Sequence, residues 1–251
     1  MQLVLLACQK NKAIEGQGIQ IPLECNTSEE FSINLLHLFA IDRDNRIVHH
    51  ETFTSSDIRE NTLHTILPLG RYRLALVANA PGKSIVIPET GETLESLYLC
   101  LPHEKNTNQE ASDIFTALQS VSITESKNTL PPIRLLPRTG ALHFSLHEIP
   151  GEISNLNLEL SFVPSSVSFS GSTTNTFGTI TKPVDPQGKA TIRTFPTKKG
   201  EATLSITYDE NNKSKRKIIP FPEAIDTNRT IHVDCNFPAL TEGGIQGTNK
   251  Q

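Results

Sequence analysis

The stretch Arg71-Tyr72-Arg73-Leu74-Ala75-Leu76-Val77-Ala78-Asn79-Ala80, led in by Leu67-Pro68-Leu69-Gly70, constrains the fold more than any other. Tyr72, Leu74, Leu76 and Ala78 alternate with Arg71, Arg73, Ala75 and Asn79. Successive side chains of a strand point to opposite faces, so a period of two marks a strand with one face in a core. The Pro and Gly before it form the turn that launches it.

The same pattern recurs along the chain. Ile19, Ile21, Leu23 and Cys25 alternate, with Pro22 predicting an edge position or a bulge. Asn34 to Ile41 is apolar on both faces, as a central strand is. The turn Asp42-Arg43-Asp44-Asn45 joins it to a third strand, Arg46 to Phe53, as a hairpin. Thr93 to Leu101 reads as a short helix or strand, and His103 to Ser112 as a polar loop. Asp113 to Leu118 and Ser120 to Thr124 read as two separate short elements. Further on, Leu142, Phe144 and Leu146 oppose His143, Ser145 and His147. Leu156, Leu158, Leu160 and Phe162 form the next apolar face, and Ser170 to Thr179 a long loop. Ala202, Leu204, Ile206 and Tyr208 alternate, the turn Asp209 to Asn212 follows, and Ile231, Val233 and Cys235 make a last strand.

Strands at about ten-residue spacing with turn signals between them specify β-sandwiches. A chain of 251 residues accommodates two small ones in tandem. The polar break Ser126 to Thr129 sets the boundary: 1–17 is a leader remnant and tether, 18–127 and 128–240 are sandwiches, and 241–251 is a tail.

The chemistry of the side chains excludes more than it assigns. A net charge of −4 argues against binding nucleic acid through its phosphates. Phosphate-loop, nucleophile-elbow and zinc-protease motifs are missing, so the chain reads as no enzyme, with no cofactor and no metal. The turn at Asp42, Asp44 and Asn45 has oxygen ligands, but Ile47 and Phe53 stand where a calcium loop needs Gly and Glu. His143 and His147 share a strand face about 13 Å apart, too far for one zinc ion. His49 and His50 point to opposite faces. The run Lys213 to Lys217 is a solvated hairpin turn that discourages edge pairing.

The N-terminus is of a different kind. Leu5-Leu6-Ala7-Cys8 resembles a bacterial lipobox, with a small residue before the Cys whose thiol takes the lipid, and the polar Gln9-Lys10-Asn11-Lys12 directly after it. Cys8 is therefore the expected lipidation site. The other cysteines, Cys25, Cys100 and Cys235, are too far apart for a disulfide framework or a C-x-x-C metal pair. They read as buried thiols, with one Cys25–Cys235 or Cys25–Cys100 bridge left open in an oxidising compartment.

Five segments in this order resemble the FimB-like anchor family of the fimbrillin superfamily, lipid-anchored proteins of Bacteroides-type type V pili. They are the Cys8 lipobox, the hairpin Leu36 to Val48, and the Gly-x-Tyr strand Leu69 to Ala80. Asp113-Ile114-Phe115 and the junction Ile133 to Phe144 complete the set. The resemblance implies two transthyretin-like sandwiches, no catalysis, and a lipid-anchored place on the cell outer membrane in a surface fimbria. Its partners would be fimbrial subunits, gripped by β-strand complementation. Stalk subunits of such pili lose their first strand by cleavage after Arg or Lys, which makes Arg46 and Arg59 candidate processing sites. The strands Ile19 to Cys25 and Arg229 to Cys235 are the segments expected in strand exchange. A structural role calls for no buried polar pocket. The alternatives are a polymerising shaft or tip subunit and a surface glycan-binding lipoprotein. Against the latter, the chain has no Trp and three Tyr for sugar stacking.

Overall fold

The computed structural model describes residues 16–25, 32–104, 107–126 and 129–237. Cys8, most of the tether, the 241–251 tail and residues 127 and 128 at the expected boundary lie outside the described residues.

The described chain is all-β, as expected. It opens with β1 (Gln17–Cys25), β2 (Leu35–Ile41), β3 (Ile47–Thr54), β4 (Ile58–Arg59), β5 (Thr62–Leu67) and β6 (Gly70–Ala78). A crossover carries β7 (Ile85–Val86), β8 (Tyr98–Cys100), β9 (His103–Glu104) and β10 (Thr107–Asn108). β11 (Phe115–Ile123) and β12 (Ile133–Pro137) follow. The remainder supplies β13 (Gly140–His147), β14 (Ile153–Pro164), β15 (Ser166–Ser168), β16 (Phe177–Pro183) and β17 (Lys189–Thr194). The last strands are β18 (Thr203–Glu210), β19 (Lys213–Ile219) and β20 (Thr230–Asn236).

Eight strands form one sheet in the order β3-β2-β6-β11-β12-β1-β5-β4. It folds over on itself: the Thr65 hydroxyl on β5 donates to Glu51 Oε2 on β3 at 2.7 Å. Inside lie Ile21, Leu36, Leu38, Leu74, Leu76, Phe115 and Ile133. The other face of β2 and β6 is also buried. Phe39, Ile41, Ala75 and Val77 pack under the crossover residues Leu94, Leu97 and Leu99, and the same cluster runs on into the second half. β6 is thus two-faced over Leu74–Ala78, where alternation predicted one buried face; only its start, Arg71 to Arg73, is polar.

The second half sets a six-stranded sheet, β19-β18-β14-β16-β10-β9, against the three-stranded β17-β13-β20. Leu142, Phe144 and Leu146 from β13 meet Leu158 and Leu160 from β14 and Leu204, Ile206 and Tyr208 from β18. β8 pairs with β15, and β10 with β16, so part of the crossover completes this half. β12 lies beyond the expected boundary yet pairs with β11 and β1. The change of sheet therefore falls between Pro137 and Gly140.

Four local readings are corrected. A bulge between Ser161 and Val163 adds one residue to β14 and reverses side-chain parity, so Phe162 (φ 60°) is 59% exposed and Val163 is buried. β11 is one unbroken strand, because β6 pairs with it from Phe115↔Ala78 to Ile123↔Gly70. The stretch read as a loop to Thr179 ends at β16, which begins at Phe177. The basic run forms edge strand β19 itself, entered by a turn at Asn211 and Asn212, both with positive φ. Its charges still guard an open edge.

Candidate functional site

β1 is an interior strand, where Pro22 predicted an edge position or a bulge. Gln17 to Pro22 pair antiparallel with β5, and Leu23 to Cys25 pair parallel with β12. Pro22 ends the register with β5 and lies between the Gln20–Thr129 bridge and the Leu23–Cys25 ladder with β12, where that parallel pairing is interrupted. Leu23 N–H donates to Asn61 O at 2.7 Å, and Leu130 N–H to Gln20 O at 2.9 Å. Ile19, Ile21 and Leu23 are buried in the core of the folded sheet. The last strand, β20, pairs in parallel with β13 and forms one edge of its sheet.

Arg46 and Arg59 are differently placed. Arg46 closes the β2–β3 hairpin: its N–H donates to Asp42 Oδ1 at 2.9 Å, and its Nη1 to Gly91 O at 2.7 Å. Asp42 Oδ1 also accepts from Asp44 N–H at 2.9 Å, so this carboxylate organises a turn. Arg59 stands exposed beside the turn at Glu60 and Asn61, both with positive φ.

A cleft of about 430 Å³ opens where the end of β12 and the start of β13 meet the loops around Asn34, Asn79 and Asp113. Arg193 Nη1 donates to Asp113 Oδ1 at 3.0 Å on its wall. Thr139, 1% exposed, lines it with a buried hydroxyl that has no hydrogen-bond partner. A polar recess here departs from the expectation of none.

The histidines separate as the strand alternation requires. His49 Nε2 lies 3.6 Å from Glu51 on one face of β3, while His50 stacks on Phe39 on the other, ring centroids 4.4 Å apart. His143 and His147 are exposed on β13, His143 against His232 and His147 toward Asp234. Sequence missed His37, buried on β2 beside His50, because nothing in one strand shows what its neighbour places opposite. Cys25, Cys100 and Cys235 are not bridged to one another. Burial, and then the charge of Asp234, pushes the Cys235 thiol up to about 11. Burial raises Cys100 as well. Both are poor thiolates at neutral pH. Among the described residues, no three His, Cys, Asp or Glu side chains gather as a metal cluster, and no helix is long and apolar enough to cross a membrane.

Fold and site together define an all-β protein whose first described strand is built into its own sheet. The chain belongs to the family of fimbrillin-A associated anchor proteins Mfa1 and Mfa2, which it matches over residues 26–248. The family is structural, not enzymatic. The fold is shared with the fimbrial anchor protein Mfa2 from Porphyromonas gingivalis: TM-score 0.53, 14% identity, covering 87% of this chain and 90% of that one. A candidate cell adhesion protein from Bacteroides eggerthii gives TM-score 0.65 and 14% identity over 96% of this chain and 92% of that one. A candidate polysaccharide-binding protein from Bacteroides thetaiotaomicron gives 0.65 and 14% over 87% and 90%. Among curated protein sequences, none matches.

Proposed function

We propose that this chain is an anchoring or accessory subunit of a surface fimbria, held at the outer membrane by a lipid on Cys8 and joined to its neighbours by β-strand complementation. One observation carries the reading: β1 fills the position between β12 and β5 with Ile19, Ile21 and Leu23 inward. A subunit that keeps this strand has no open groove there and ends a chain of strand exchanges; one that loses it exposes unpaired backbone and an apolar slot for a donor. Removal after Arg59 would take β1 to β4 out of the eight-stranded sheet, and removal after Arg46 would take β1 and β2. The same reading treats the chain as two β-units, with sheet membership favouring a division after Pro137 over one at residue 127.

The test is the mass of the N-terminal peptide of the mature protein, purified from its host's membranes. A diacylglycerol on Cys8, with the chain intact at Arg46 and Arg59, is expected. A lipid-free chain starting just after either Arg would overturn the anchor reading in favour of a polymerising shaft or tip subunit. The polar cleft, with the candidate polysaccharide-binding relative, favours a second reading as a glycan-binding surface lipoprotein. Glycan-array binding abolished by Arg193→Ala would support it; no binding by the intact chain would remove it.

A further inference from the structure

The β2–β3 ribbon gathers three donor atoms that neither strand holds alone. Phe39 faces His50 and His37 faces Thr52 across the antiparallel pair, so His37 and His50 are diagonal neighbours on one face. His37 Nδ1 lies 3.3 Å from His50 Nε2 and 3.2 Å from Thr52 Oγ1, and Thr52 Oγ1 lies 3.5 Å from His50 Nε2. These are the edges of a nearly equilateral triangle. Two ligands about 2.0–2.1 Å from a tetrahedral ion stand about 3.3–3.4 Å apart. The triangle therefore has the size of one face of a tetrahedral coordination shell.

The second nitrogen of His37 fixes how the triangle is presented. His37 Nε2 is 3.3 Å from the carbonyl oxygen of Ala80, which accepts only, so Nε2 carries the proton and Nδ1 turns its lone pair toward His50 and Thr52. An imidazole that donates its far N–H to a backbone carbonyl is the usual arrangement of a metal-ligating histidine. A single lone pair on Nδ1 also faces two groups, and cannot bond fully to both. His37 is 4% exposed and stacked beside Phe39, and both rings are thereby held in place. Thr52 is exposed, which leaves an entry path and room for water ligands.

We propose that His37 Nδ1, His50 Nε2 and Thr52 Oγ1 form a binding site for a borderline divalent transition-metal ion of the zinc class. Neutral imidazoles suit such ions, and burial keeps both rings neutral at pH 7 by lowering their pKa values. A bound ion would cross-link the edge strand β3 to β2.

The experiment titrates ZnCl2 into the full chain labelled with 15N-histidine, following the imidazole nitrogens by NMR and the heat by calorimetry. One equivalent is expected to move His37 Nδ1 and His50 Nε2 into the metal-bound range. His50→Gln, which removes a direct ligand, is expected to weaken binding by at least about tenfold, the lower end of what loss of an outer-shell partner typically costs. The double variant His143→Gln/His232→Gln, which removes the other close histidine pair, is expected to leave it unchanged. Zinc that moves neither nitrogen, or that binds His50→Gln as tightly as the unaltered chain, would overturn the proposal. The NMR readout needs no variant, so misfolding of a substituted chain cannot obscure it.

Discussion

His37 and His50 make the fold sensitive to mild acid when no metal is present. Burial lowers the pKa of His37 against the opposing pull of the Ala80 carbonyl, and burial with the nearby His37 and His49 charges lowers that of His50. The unfolded chain then binds more protons than the folded one below the ordinary value of about 6.5. Stability is full above that pH and falls as pH drops through the lowered folded values. In chelator-treated buffer the urea midpoint is expected to decline as pH falls below about 6.5. His50→Gln should flatten the slope; a profile as steep in the variant would show that other groups are responsible.

At the scale of elements, the strands that could be read from sequence are those whose two faces meet different surroundings. β13 alternates because Leu142, Phe144 and Leu146 enter the core while His143 and His147 meet solvent. The two-residue strand β10 left no trace, since its pairing is decided by a distant partner, Ile180, which faces Asn108. The bulge in β14 is invisible for a related reason: Phe162 fits the apolar period, and only the backbone turns it away. The two strands differ in what substitution costs. Ile21→Ala in β1 is expected to cost about 2–5 kcal/mol by leaving a cavity, while Phe162→Ser should stay within about 0.5 kcal/mol. Equilibrium denaturation measures both, and an equal loss would contradict the assigned burial.

At the scale of the whole molecule, sequence points to two small sandwiches in tandem. One apolar cluster runs from the outer face of β2 and β6, under the crossover, and through β13 to β20. The cleft around Thr139 exists only where the segments from both halves meet, so no local pattern could announce it. β1 was legible as a strand and its importance followed from the family resemblance, but its seat between β5 and β12 was not.

The parallel seating of the first and last strands has a mechanical consequence. β1 runs parallel to β12, β12 leads directly into β13, and β13 runs parallel to β20. Tension between the two chain ends would pass along this series, loading each parallel ladder lengthwise so that its bonds must break together rather than one by one. Drawn from its termini in an optical trap, the chain is expected to yield at a higher force than when drawn between Arg59 and Ile218, where the edge strands β4 and β19 can be peeled away. Equal forces in the two directions would refute this. A chain so wired would resist tension best along the line that joins its first and last described strands.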